Sequence, residues 1–247
     1  MTIATHLSTK TFTDFLKKID QELARHVDQK YKEGATNFFK EKVNIKGVRV
    51  PQVRKISAKY FREIKYLPKN DIFKLIEKLL STGISENITI ALDWTYRLKD
   101  QYEKTDFRTF ENWLKKYITN WASCDDFCTH PVGYLVWKYP ALLPKVFIWT
   151  RSRNRWVKRA AAVTLIHPIR KNKFFLKHVF NTADVLLLDQ DDLVQKGYGW
   201  MLKVAADSYQ KEVFQYVLKH KNKMPRTALR YAIEKMPADK KKEAMNK

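Results

Sequence analysis

The chain has 247 residues, 45% of them hydrophobic and 13% aromatic, enough apolar material for a sizeable core, which excludes disordered and fibrous classes. Lys and Arg total 48 against 26 Asp and Glu, and the net charge of +22 favours a polyanionic partner, nucleic acid first. No apolar run approaches the roughly 20 residues that span a bilayer. Residues 1–10 lack the basic-then-apolar pattern of a secretory signal, so no membrane partner and a cytoplasmic location, nucleoid-associated in a bacterial or archaeal cell, are the expectation. Apolar residues then recur at helical and not alternating spacing, as in Phe12, Phe15, Leu16, Ile19 and Leu23, or Ile72, Phe73, Leu75, Ile76, Leu79 and Leu80. Punctuated by Gly47, Pro51, Pro68, Gly83, Pro140, Pro168, Pro225 and Pro237, this spacing predicts helices over 11–27, 31–43, 51–66, 69–81, 85–100, 106–119, 124–138, 140–150, 154–167, 172–182, 190–206, 209–220 and 225–235.

This is an all-α pattern with no long linker or low-complexity segment. It predicts HEAT-like helical repeats stacked into a curved solenoid, as one domain over 1–247 with flexible ends at 1–10 and 238–247. Three segments rhyme weakly: Ser85–Arg97, Asn154–Ile166 and Asp191–Val204 each open on polar residues and continue into an apolar helix. The basic tail Lys240, Lys241 and Lys242 reads either as an arm for DNA or as a frayed helix end.

Basic residues gathered on a concave face would cradle a duplex. The richest cluster is Arg151, Arg153, Arg155, Lys158 and Arg159, at the entry to a predicted helix whose N-terminus also suits phosphate. For any one of these the plainer reading is a solvated surface charge. Cys124 and Cys128 lie four residues apart, one helical turn, which suits a reducing compartment. With His130 and Asp125 they superficially resemble metal donors, but Cys-x-x-x-Cys without a second pair is not a usual zinc spacing. No metal or cofactor is expected, and the Pro after His130 suggests a turn. Gly-rich phosphate loops, Gly-x-Ser-x-Gly elbows and His-Glu-x-x-His helices are absent, which argues against nucleotide hydrolysis and zinc-protease chemistry.

Four motifs together carry a resemblance. Phe38 precedes Gly47-Val48-Arg49-Val50-Pro51-Gln52-Val53-Arg54-Lys55; then come Asn120-Trp121-Ala122-Ser123-Cys124-Asp125, Trp156-Val157-Lys158-Arg159 and Lys196-Gly197-Tyr198-Gly199-Trp200. In their order and intervals, over about Asn37 to Lys235, they resemble the AlkD-type DNA glycosylases of the DNA alkylation repair family, which are HEAT-like repeat proteins. The resemblance implies hydrolysis of the N-glycosidic bond of cationic N3- and N7-alkylated purines in duplex DNA, as in base excision repair, without flipping the base into a pocket; a cradle for a duplex works as a monomer. It implies Asp125 as the catalytic carboxylate, Trp121 and Trp200 as π faces for sugar and lesion, Arg159 on a phosphate beside the lesion, and Phe38 where many relatives have Tyr. Arg54, Lys55, Arg151, Arg153, Arg155, Lys158 and Lys196 become candidate DNA contacts, as do Arg226, Arg230 and Lys203, the last where a family arginine often stands.

Read without the resemblance, Trp121 and Trp200 are core aromatics, Asp125 caps the helix that starts near it, and Arg159 pairs with a carboxylate. Asp126, beside Asp125, points about 100° away on a helix, so one of the two faces a substrate. The alternative functions are a catalytically silent HEAT-like module for damaged or structured nucleic acid, and a protein-binding scaffold.

Overall fold

The computed structural model describes residues 9–246, and among these the chain is helical with no strand, only an isolated bridge between Asn44 and Ile84. Residues 1–8, most of the expected flexible start, lie outside the described residues. The chain divides into two compact units, residues 1–102 and 103–247.

The first unit contains α1 (Thr9–Ala24), α2 (Gln29–Phe38), α3 (Val50–Ile64), α4 (Lys69–Ser81) and α5 (Ser85–Arg97). Its core is the apolar stripe of α1, α3, α4 and α5: Ile19 and Leu23, Val53 and Ile56, Ile72, Leu75 and Ile76, with Trp94 fully enclosed. Pro68 starts α4 and Gly83, at φ +67°, ends the turn after it, so the predicted span 69–81 is the observed one. The predicted 31–43 stops at Phe38, because the chain then runs extended into a loop organised from elsewhere. Glu86, 3% exposed, accepts the backbone N–H groups of Lys46, Gly47 and Val48 at 2.9, 2.8 and 3.0 Å. Gly47 sits at φ +109°, and a Cβ there would lie 2.8 Å from Lys32 Cβ. The Gly-Val-Arg-Val-Pro motif is therefore a loop drawn over a buried carboxylate, leading into α3 with Pro51 in its first turn.

The second unit contains α6 (Asp106–Tyr117), α7 (Trp121–Phe127), α8 (Gly133–Lys138), α9 (Leu143–Ile148), α10 (Arg155–Val163), α11 (Ile166–Ile169), α12 (Leu176–Leu186), α13 (Asp192–His220), α14 (Arg226–Ile233) and α15 (Ala238–Met245). A π-helical turn, Cys128–Val132, joins α7 to α8, so the expected turn at His130 and Pro131 is instead a widened step inside one helical run. Such a step accommodates a proline that has no N–H for the ladder. The predicted helices 190–206 and 209–220 are both present as the two arms of α13, which meet at a kink where Tyr209 leaves helical geometry (φ −129°, ψ 47°). The expected flexible end at 238–247 is largely α15: Ala244 is buried, and Lys240 donates to Gln210 Oε1 at 2.9 Å and lies over the Phe214 ring. The three rhyming segments all prove to be helices that open where expected, at Ser85, Arg155 and Asp192.

A buried carboxylate–guanidinium site on three helices

Asn120 caps α7 by accepting the Ser123 N–H at 2.9 Å, so the helix begins at Trp121, three residues before the predicted start. Asp125 thus lies in mid-helix, and the reading of it as a cap does not hold. Trp121 and Asp125 are four residues apart on one face of α7. Asp126 turns to the exposed His130, whose Nδ1 lies 3.1 Å from its carboxylate.

Asp125 meets Arg159 of α10 in a two-pronged ion pair. Arg159 Nε donates to Oδ1 and Nη2 to Oδ2, both at 2.7 Å, and Nη1 donates to the Leu193 carbonyl at the start of α13. The side chains are 6% and 17% exposed, the arginine enclosed and the carboxylate reachable at its edge. Burial pushes the Asp125 carboxyl above its ordinary value, and Arg159 only partly offsets this. Arg159 is itself held still more firmly protonated by the carboxylate. The guanidinium expected on a phosphate is therefore already committed to protein acceptors.

Gly197 explains how the arginine fits. A Cβ there would stand 3.1 Å from Arg159 Cγ and 3.4 Å from Nη1. Trp200 lies one turn further along α13 from Gly197, and neither Trp200 nor Trp121 belongs to the buried core: both are partly exposed. The rest of the motif is architectural. Tyr198 is enclosed and donates to the Leu187 carbonyl at 3.1 Å, while Gly199 lets α13 touch α14, where a Cβ would meet Ala228 O at 2.8 Å.

The basic candidates separate into two sets. Arg155 pairs with Asp191 at 2.6 Å, Lys158 with Asp189 at 2.5 Å, Lys196 with Asp192 at 3.0 Å, Lys203 with Glu234 at 2.9 Å and, in the first unit, Arg54 with Asp93 at 3.3 Å. Arg226 is exposed and donates to the Met245 carbonyl. Lys55, Arg151, Arg153 and Arg230 are exposed with no carboxylate on them among the described residues. At the entry to α10 the N–H groups of Trp156 and Val157 already bond Asn154 Oδ1, at 2.9 and 3.4 Å. Phe38 is 68% exposed at the end of α2, edge-on to Phe39.

The thiols offer little chemistry. Cys124 and Cys128 are free and buried, Cys124 bonds the Trp156 carbonyl at 3.4 Å, and burial pushes its thiol well up. Sequence reading placed Asn120 in a motif and Asp191 at a helix opening without the roles they play, and it missed Glu86 and Asp189. Asn120 was legible as a polar residue before an apolar run, but the acids found partners only through the fold.

The model of a family described as DNA alkylation repair enzyme matches residues 19–236. Among solved structures, a predicted DNA alkylation repair enzyme from Enterococcus faecalis is similar, with a TM-score of 0.77 and 16% identity over 86% of this chain and 98% of that one. At that identity the likeness is one of fold, an all-α helical repeat. No curated protein matches the sequence. Among the described residues, no helix is long and apolar enough to cross a membrane.

Proposed function

The chain belongs to the DNA alkylation repair enzyme family, and from that premise we propose that it is a monofunctional DNA glycosylase releasing cationic N3- and N7-alkylated purines from duplex DNA. The single observation that carries this reading is the Asp125–Arg159 pair: a carboxylate held in fixed orientation at the edge of the core, on a protein of net charge +22.

An alkylated purine is already a positively charged leaving group. The barrier therefore lies mainly in the cationic, oxocarbenium-like character that develops on the deoxyribose. A preoriented carboxylate stabilises that charge and can orient the attacking water. Arg159 consumes one lone pair on each oxygen and leaves others for sugar and water. Trp121 and Trp200 offer partly exposed indole faces, on which a desolvated cation gains up to about 2 kcal/mol. The products are the free base and an abasic site, with no metal or cofactor taking part. Water adds at the deoxyribose carbon as the glycosidic bond breaks, and the base leaves without extrusion into a pocket. Lys55, Arg151, Arg153 and Arg230 are the phosphate contacts preferred in this reading, and the protein works as a monomer in a single repeat domain.

A second reading is favoured by the same pair, since a doubly bonded Asp–Arg contact is also what an architectural brace looks like. In it the protein is a silent module that binds damaged or structured nucleic acid. The deciding experiment measures release of 7-methylguanine and 3-methyladenine from methylated duplex DNA, in chelator, by wild type and Asp125→Asn. Release by wild type and a loss on the order of a hundredfold or more in the variant, with DNA binding retained, is the expected result. Near-normal excision by Asp125→Asn removes Asp125 from the chemistry, and no release by either protein leaves the silent module.

A further inference from the structure

Arg155, Lys158 and Arg159 stand at i, i+3 and i+4 on α10, a single stripe of that helix. Each is taken up by the short segment that opens α13: Arg155 by Asp191, Lys158 by Asp189 and Arg159 by the Leu193 carbonyl. The segment is itself braced. Asp189 Oδ1 accepts the Asp191 N–H and Asp191 Oδ1 accepts the Leu193 N–H, both at 3.0 Å, while Gln195 donates to the Asp189 carbonyl at 2.8 Å. In both acids one oxygen shapes the loop and the other holds α10. Their side chains are only 13% and 15% exposed, unlike those of ordinary surface pairs, which contribute little.

The helices joined in this way each carry part of the candidate site. Arg159, which orients Asp125, is on α10, while Gly197, which admits the arginine, and Trp200 are on α13. We infer that Asp189 and Asp191 are positioning residues that latch α10 to α13 so that the Asp125–Arg159 pair is held in register with Trp200, and that Lys158 and Arg155 serve this latch and not DNA phosphates. The functional half rests on the glycosylase reading; the assignment of the two cations to the protein does not.

The test uses the full chain with Lys158→Gln, Lys158→Arg and Asp189→Asn, the last keeping an oxygen for the Asp191 N–H while losing the charge. Two quantities are read: single-turnover release of methylated bases at saturating protein, and duplex affinity across a salt series. A cation that contacts phosphate contributes about 0.9 to the slope of log affinity against log salt. Lys158→Gln is expected to leave slope and affinity unchanged and to slow release tenfold or more, since small misplacements of reacting groups cost up to about a hundredfold. Lys158→Arg, which can remake the pair, is expected to recover most of the rate, and Asp189→Asn to slow release with a slope that is equal or steeper. A slope shallower by about 0.9 in Lys158→Gln returns that lysine to the DNA and overturns the latch. Unchanged release in both Lys158→Gln and Asp189→Asn, in a background where wild type excises, overturns the positioning role. If wild type releases nothing, the glycosylase reading fails, and the slopes alone decide where Lys158 belongs.

Discussion

At Asp125 two forces act on one carboxyl: burial disfavours its charge and Arg159 favours it, with burial ahead. Because base release in the proposed mechanism needs the carboxylate, activity is lost as pH falls through a value above the ordinary one, about 3.9 for Asp. A pH series of single-turnover release, corrected for spontaneous depurination, is expected to show an acid limb higher than a solvated Asp gives, and a limb at or below the ordinary value counts against the assignment. The stability term runs the opposite way. A carboxyl that binds its proton more tightly in the folded state than in the unfolded one stabilises below its unfolded value and loses that contribution as pH rises through its folded value. The residue types at this site were legible in the sequence, through motifs carried by Trp121, Asp125, Arg159 and Trp200. Their relations were not, because Arg159 and Asp125 are 34 residues apart and only the fold joins them.

At the scale of elements, the two glycines of one α13 turn make different demands. Gly197→Ala gains roughly 0.5–1 kcal/mol of helix propensity, while Arg159 Cγ, at 3.1 Å, yields by a few tenths of an ångström. The expected outcome is a melting temperature close to wild type with base release down about tenfold, since a small displacement of the arginine reaches Asp125 directly. Gly199→Ala meets backbone at 2.8 Å, which cannot swing aside, and overpacking of this kind costs about 1–3 kcal/mol. Thermal melts of the two variants separate these effects, and equal losses of stability refute the distinction. Helix identity was readable wherever spacing had clear flanks, as at Pro68 and Gly83 around α4. It failed where local chemistry has two outcomes. His130-Pro131 reads as a turn but fits a π-helical step, and Asp125 reads as a cap until Asn120, five residues earlier, takes that place.

For the molecule as a whole, net charge overstates what is available to a polyanion. Of the basic residues first read as DNA contacts, Arg54, Arg155, Lys158, Lys196 and Lys203 are already matched by protein carboxylates. Duplex binding is nonetheless expected to weaken steeply with salt, by about 10³-fold or more between 50 and 200 mM if some six phosphates are neutralised. Methylated and unmethylated duplexes should share that slope. Anisotropy titrations supply the measurement, and a slope near zero favours a protein-binding scaffold instead. The same economy appears in the first unit, in a form without cations. Three convergent amides around a glycine at positive φ make the kind of concavity that elsewhere grips phosphate. At Lys46, Gly47 and Val48 that grip is closed on Glu86. The loop carries its own resident anion, and an incoming strand finds it already satisfied.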